Sequence, residues 1–205
     1  MQLLRNVFIL PVFVVMLLTA CAATQLNSVW KDSSYKSHPK KILVIGVAKV
    51  PENRRALEDG FVEQLKARGS QAIASYKLLP EIKQNDKDEI ARIVKEQGAD
   101  AVLITRLVGK KTRDFIVPGK FYYPPPNYGT WQNYFYYGTD IEYMPSFGAP
   151  SRNSVMEINL YDTANDKLIW SVASETGGVA SGQAIIASYI RVIMQNMAAQ
   201  GLLGS

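Results

Sequence analysis

From Lys40 onward, apolar positions recur with two periods, and the change between them divides the chain. "KKILVIGVAKV" is a short run rich in Ile and Val, the pattern of a buried strand. In "ENRRALEDGFVEQLKARG", Ala56, Leu57, Phe61, Val62 and Leu65 recur at helical spacing, and Gly69 follows as a stop. "SQAIASYKLLP" reads as a second strand ending at Pro80. In "DKDEIARIVKEQG", Asp86 as N-cap and Glu89 three residues on form a capping-box pattern before a helix that Gly98 ends. "ADAVLITRLVGKKT" is a third strand. Strand and helix alternating in this way predict a parallel or mixed sheet with right-handed crossovers.

Beyond residue 150 the period falls to two. In "SVMEINLYD", Met156, Ile158 and Leu160 share one side, and Val155, Glu157, Asn159 and Tyr161 the other. "TANDK" is a turn, and in "LIWSVASE" Leu168, Trp170 and Val172 can share the inner face. An antiparallel hairpin with a polar outer face is expected. Ser181 then caps a final helix carrying a broad apolar stripe from Ile185 to Met197. The fold class is α/β, α+β-like. It is a single domain over residues 40–205 with a mixed sheet, in the order strand, helix, strand, helix, strand, aromatic loop, strand, strand, helix.

Upstream of this domain the pattern is of another kind. Arg5 precedes an apolar run, Val7 to Leu18, too short to span a bilayer comfortably and suited to a signal peptide over residues 1–20. The run ends in "LTAC", Leu18 to Cys21, which resembles the bacterial lipobox; Cys21 is the sole cysteine. The resemblance implies cleavage before Cys21, lipid on its thiol, and no thiol left for a disulfide. In Gram-negative lipoproteins an Asp after that cysteine signals inner-membrane retention. Ala22 and Ala23 stand there instead, so the expected place is the outer membrane, facing the periplasm. Residues 21–39 read as the lipidated cysteine and a tether, extendable to about 60 Å. "NSVWKDSSY" within it has an alternative reading as an edge strand.

The insertion at about 114–150 is dominated by "FYYPPPNYGTWQNYFYYGTDIEYM", which holds seven of the eleven tyrosines and no Lys or Arg. Tyr is amphipathic and frequent in binding surfaces. Tyr122, Tyr123, Tyr128, Trp131, Tyr134, Phe135, Tyr136, Tyr137 and Tyr143 are therefore candidate partner-binding residues, with an idle loop as the competing reading. The absence of interleaved cations argues against nucleic acid. Pro124 to Pro126 and the unbroken run Tyr134 to Tyr137 argue against a membrane hairpin.

The net charge of +5 is modest. Arg54, Arg55, Lys110, Lys111 and Arg113 fall near strand carboxyl ends, where α/β ligands gather, and are candidates for an anionic-ligand edge, against a plain reading as solubility charge. The only histidine, His38, lies in the tether. With one cysteine and one histidine, neither a Ser–His–Asp centre nor a Cys–His centre nor a multi-His/Cys zinc site is expected. No phosphate loop or dinucleotide fingerprint occurs, so no cofactor is expected. Glu157 and Glu175 lie on neighbouring predicted strands and are a candidate facing carboxylate pair, but a solvated outer face is the favoured reading.

"VWKDSSY", "KKILVIGVAKVPENRRALEDGFVEQLKARG", "ASYKLLP", "GADAVLITRLVG" and "LYDTANDKLIWSVASET" together resemble a widespread group of bacterial lipoproteins with a domain of unknown function after the lipobox. The layout is also similar to the TolB amino-terminal domain, LpoB and the soluble part of CsgG. The resemblance implies a non-catalytic envelope module held to the membrane through Cys21, with an envelope protein partner or self-association. A CsgG-like oligomeric pore is the alternative, and a glycan- or nucleotide-acting enzyme a weaker one. It supplies no functional residues.

Overall fold

The computed structural model describes residues 23–81, 87–111, 129–132, 134, 153–177 and 181–204. The strand patterns become one six-stranded mixed sheet. Its strands are β1 (Ala23–Lys31), β2 (Lys41–Val47), β3 (Gln71–Ala74), β4 (Ala101–Lys111), β5 (Asn153–Asp162) and β6 (Leu168–Gly177), in the order β1-β6-β5-β4-β2-β3. β2 runs parallel to β3 and β4, whereas β4, β5, β6 and β1 are successively antiparallel. Helices α1 (Pro51–Lys66), α2 (Lys87–Gln97) and α3 (Gly182–Ala199) complete it.

Two apolar layers enclose the sheet. On the first face α1 and α3 pack Leu57, Phe61, Leu65, Tyr189, Ile193 and Met197 against Val44, Leu103, Ile158 and Val172. Inside this layer Tyr189 shares a 2.8 Å hydrogen bond with Thr105, and Phe61 meets its ring edge-on. Burial holds the Tyr189 phenol well above the ordinary tyrosine range. On the second face Ile90, Ile93 and Val94 of α2 cover Leu43, Ile45, Val102 and Ile104.

The helix ends follow their local chemistry. Ser181 accepts from the Ala184 N–H at 3.2 Å, as its place before α3 predicts. Gly69 and Gly98 take positive φ, +82° and +58°, just past α1 and α2, where a side chain would be strained. The expected cap Asp86 lies outside the described residues.

Three expectations change. Residues 23–31 are an edge strand, so for Asn27–Lys31 the alternative edge-strand reading holds in place of the tether, and the domain begins well before residue 40. Alternation failed to announce β1 because a bulge falls between Leu26 and Ser28: Leu26 packs on the first layer and Trp30 on the second, while Val29 is exposed. The second predicted strand stops at Ala74 and turns into a 3-10 segment, Ser75–Lys77, where the Tyr76 N–H donates to Glu58 of α1. Leu168 does not share the inner face with Trp170. An extra residue at Ile169 shifts the β5–β6 register, pairing Leu160 with Trp170 and Tyr161 with Leu168, and Leu168 joins the second layer.

The segment between β1 and β2 carries the chain across one pole of the sheet. The Asp32 N–H bonds the Ile169 carbonyl at 3.0 Å, and the Asp100 carboxylate accepts the Lys40 and Lys41 N–H groups at 2.8 and 2.9 Å. At the opposite pole Ala23 pairs with Gly177, and Lys110 and Lys111 pair with Ser154 and Asn153.

Candidate functional site

An arginine in the middle of an apolar strand must find an anion, because burying a lone guanidinium is prohibitive. Arg106 sits so in "VLITRLV", and the sheet places it directly opposite Glu157 on β5. Their side chains meet at 3.1 Å with both residues buried. The guanidinium also lies 4.4 Å from the centre of the Tyr134 ring, a close cation–π contact, and the Tyr134 hydroxyl is 3.5 Å from the same carboxylate.

This arrangement overturns the solvated outer face expected for the terminal hairpin. Val155, Glu157, Asn159 and Tyr161 are all buried. Trp131 and Tyr134 pack over the second layer beside Tyr161, with the two tyrosine rings 6.0 Å apart. Their spacing of three residues fits a helical turn, and the Tyr134 N–H bonds the Thr130 carbonyl. The hairpin turn fixes this piece from outside. Asp166, at φ +58°, accepts the Trp131 indole N–H at 2.8 Å and the Gln132 amide at 3.0 Å, and Thr130 bridges to Lys167.

Trp131 and Tyr134, counted from the sequence as partner-binding residues, are thus core residues. They are 1% and 0% exposed and present no ring to a partner. Tyr122, Tyr123, Tyr128, Phe135, Tyr136, Tyr137 and Tyr143 lie outside the described residues, as does Cys21.

A second charged network sits at the carboxyl end of β2. Glu58, fully buried on α1, accepts from Arg54 Nε (2.8 Å), the Gly46 N–H (2.9 Å), Ser75 Oγ (2.9 Å) and the Tyr76 N–H (2.8 Å). Arg54 also donates to Ser75 Oγ and to the carbonyls of Leu79 and Pro80, all within 2.9 Å. The expected anionic-ligand edge therefore loses Arg54, whose anion is Glu58. Gly46 packs closely here: a Cβ would meet the Glu58 side chain at 3.3 Å. Arg55 is exposed and lies 5.8 Å from the Tyr76 ring, which Lys77 approaches at 5.5 Å, while the Tyr76 hydroxyl donates to Asp59. Lys110 and Lys111 hold register positions at the β4 end, and Arg113 lies outside the described residues.

Glu157 and Glu175 are not opposite one another: Glu157 pairs with Ala173, and Glu175 with Val155. Several polar atoms on β1, β6 and β5, namely Asn27 Nδ2, Ser28 Oγ, Ser171 Oγ and Asn159 Oδ1, are buried with no hydrogen-bond partner. Among the described residues no group of three or more His, Cys, Asp or Glu could hold a metal ion, and no helix is long and apolar enough to cross a membrane.

No family model and no curated protein matches the chain. Solved structures do. The PelC dodecamer from Paraburkholderia phytofirmans is similar in two crystal forms, one of them a point variant. One gives a TM-score of 0.46 at 14% identity, spanning 87% of this chain and 99% of the PelC chain. The other gives 0.47 at 13% identity, spanning 89% and 99%.

Arg106, Glu157 as its partner, and Asp166 were not among the candidates that composition and periodicity single out. Arg106 carried a usable signal, since a charge inside an apolar strand needs a buried counter-charge. Asp166 carried only its place in a turn, where Asp tolerates positive φ.

Proposed function

We propose that this chain is a lipid-anchored module of the bacterial outer membrane, facing the periplasm, that acts by contact with an envelope protein or with further copies of itself and carries out no reaction of its own. The observation that carries the reading is the lipobox-like "LTAC" ending at the sole cysteine, Cys21, just before the first strand of the domain. Ala22 and Ala23 after it favour the outer membrane. The tyrosines flanking the docked turn at 130–134 supply amphipathic groups of the kind contact surfaces use.

The most prominent charged groups of the described residues serve the fold in this reading. Arg54 with Glu58, and Arg106 with Glu157, are buried pairs that hold elements together. Neither pair leaves a carboxylate or guanidinium presented to a substrate.

The test is crosslinking in intact cells, comparing the native lipoprotein with a variant in which Tyr122, Tyr123, Tyr136 and Tyr137 become Ser. The variant leaves Trp131 and Tyr134 in the core. The native protein should give a discrete crosslinked species in the membrane fraction that the variant loses. Identical patterns for both would remove the tyrosines from the account, and a protein found only uncrosslinked and soluble would remove the module itself.

A further inference from the structure

We infer that the domain stands directly on the phospholipid surface, with the pole of the sheet holding Ala23, Gly177, Lys110 and Lys111 turned towards the headgroups. The inference rests on the acylation of Cys21 proposed above. Ladder pairing begins with the first residue of β1: Ala23 with Gly177, Thr24 with Thr176, Gln25 with Glu175. Thr24 is held a second time, through its hydroxyl, by Thr176 at 2.9 Å and by Ser188 of α3 at 3.1 Å. The start of β1 is therefore pinned to both the sheet and a helix.

Cys21 stands two residues before Ala23, and two extended residues reach at most about 7 Å. The lipid on an acylated Cys21 keeps that residue at the headgroup layer, itself roughly 5–8 Å deep on each side of the hydrocarbon. A flexible tether ending near residue 39 would instead have left the domain about 20–25 Å away and free to turn. The strand removes that freedom.

The chain order places Lys110 and Lys111 beside Ser154 and Asn153, with Glu175 the acidic residue of the adjoining β6 end. The opposite pole carries the Thr163–Lys167 turn, about 30 Å away along the ten residues of β5.

Energy transfer measures the orientation. The full lipidated protein, as Gln25→Cys or Ala164→Cys, is labelled with a donor dye and placed in vesicles of phosphatidylethanolamine and phosphatidylglycerol bearing a rhodamine-headgroup acceptor. Both positions are exposed and lie towards opposite poles. The Gln25 label should lie within about 15 Å of the acceptor plane, and the Ala164 label about 30 Å further out. A flexible Gly/Ser insert of about twelve residues between Ala22 and Ala23 should collapse that difference. Equal transfer from both positions in the uninterrupted protein, or a difference that survives the insert, overturns the direct seating. Intact mass of the same sample reports separately on Cys21: a sample without the lipid mass overturns the anchor, whereas an acylated sample with equal transfer overturns only the seating.

Discussion

The indole N–H of Trp131 donates to the Asp166 carboxylate at 2.8 Å, tying the aromatic insertion to the turn of the terminal hairpin. The contact closes the second face of the sheet, with Trp131 and Tyr134 filling the layer that Glu157, Asn159 and Tyr161 line. Truncating Trp131 to Ala should cost about 3–5 kcal/mol, the usual range for a buried aromatic. Asp166 needs both an acceptor and tolerance of φ +58°, so Asn should cost least, Ala more and Val most. Urea unfolding of the four variants checks the order. A Trp131→Ala loss below about 1 kcal/mol would mean that the ring does not belong to the core.

Glu58 and Arg54 form a buried pair in which almost every donor and acceptor is used. Removing one partner strands the other's charge, so Glu58→Ala should cost about 3–5 kcal/mol. Replacing both with Leu and Met should cost clearly less than the two single changes added together. A double-mutant cycle from denaturant melts measures this, and strict additivity would contradict the coupling.

How much of this was legible in the sequence depended on whether a side chain's partner was local. Ile42 to Val47, Leu57 to Leu65 and the Ser181 cap follow from periods and caps within one element, and the fold reproduces them. β1 was ambiguous because its bulge shifts the alternation, and β3 appeared too long because Glu58, on α1, takes the Tyr76 N–H. Trp131 and Tyr134 could not be separated from their neighbours by composition. Nothing in the composition of the segment marks Trp131 and Tyr134 as the residues that meet Asp166 and Arg106.

Ser171 is fully buried on β6 and its hydroxyl has no partner. An unsatisfied buried polar group costs about 1–3 kcal/mol. Ser171→Ala should therefore be neutral or stabilising, by up to about 1 kcal/mol, unlike most core substitutions. Thermal melts decide it; a clear loss of stability would show that the hydroxyl is bonded in solution, most simply to a buried water.

Tyr35 lies against the first layer, and burial, with the carboxylates of Asp162 and Asp100 adding to it, pushes its phenol up to about 12. The unfolded value is about 10, so the native state holds the proton more tightly. Its contribution is fully present below about pH 10 and is lost as pH rises from there to about 12. The ring is partly exposed, so solvent screening keeps the effect small. Urea midpoints between pH 9 and 12 should fall less steeply in Tyr35→Phe than in the native protein. Parallel curves would rule out Tyr35 as the source.

Native mass spectrometry of the protein extracted from membranes in mild detergent tests the central claim most directly. A contact module anchored through Cys21 predicts a chain beginning at Cys21 with the added mass of its lipid, in a discrete complex with further copies or with another envelope protein. A chain without lipid that remains a bare monomer at every concentration would contradict it.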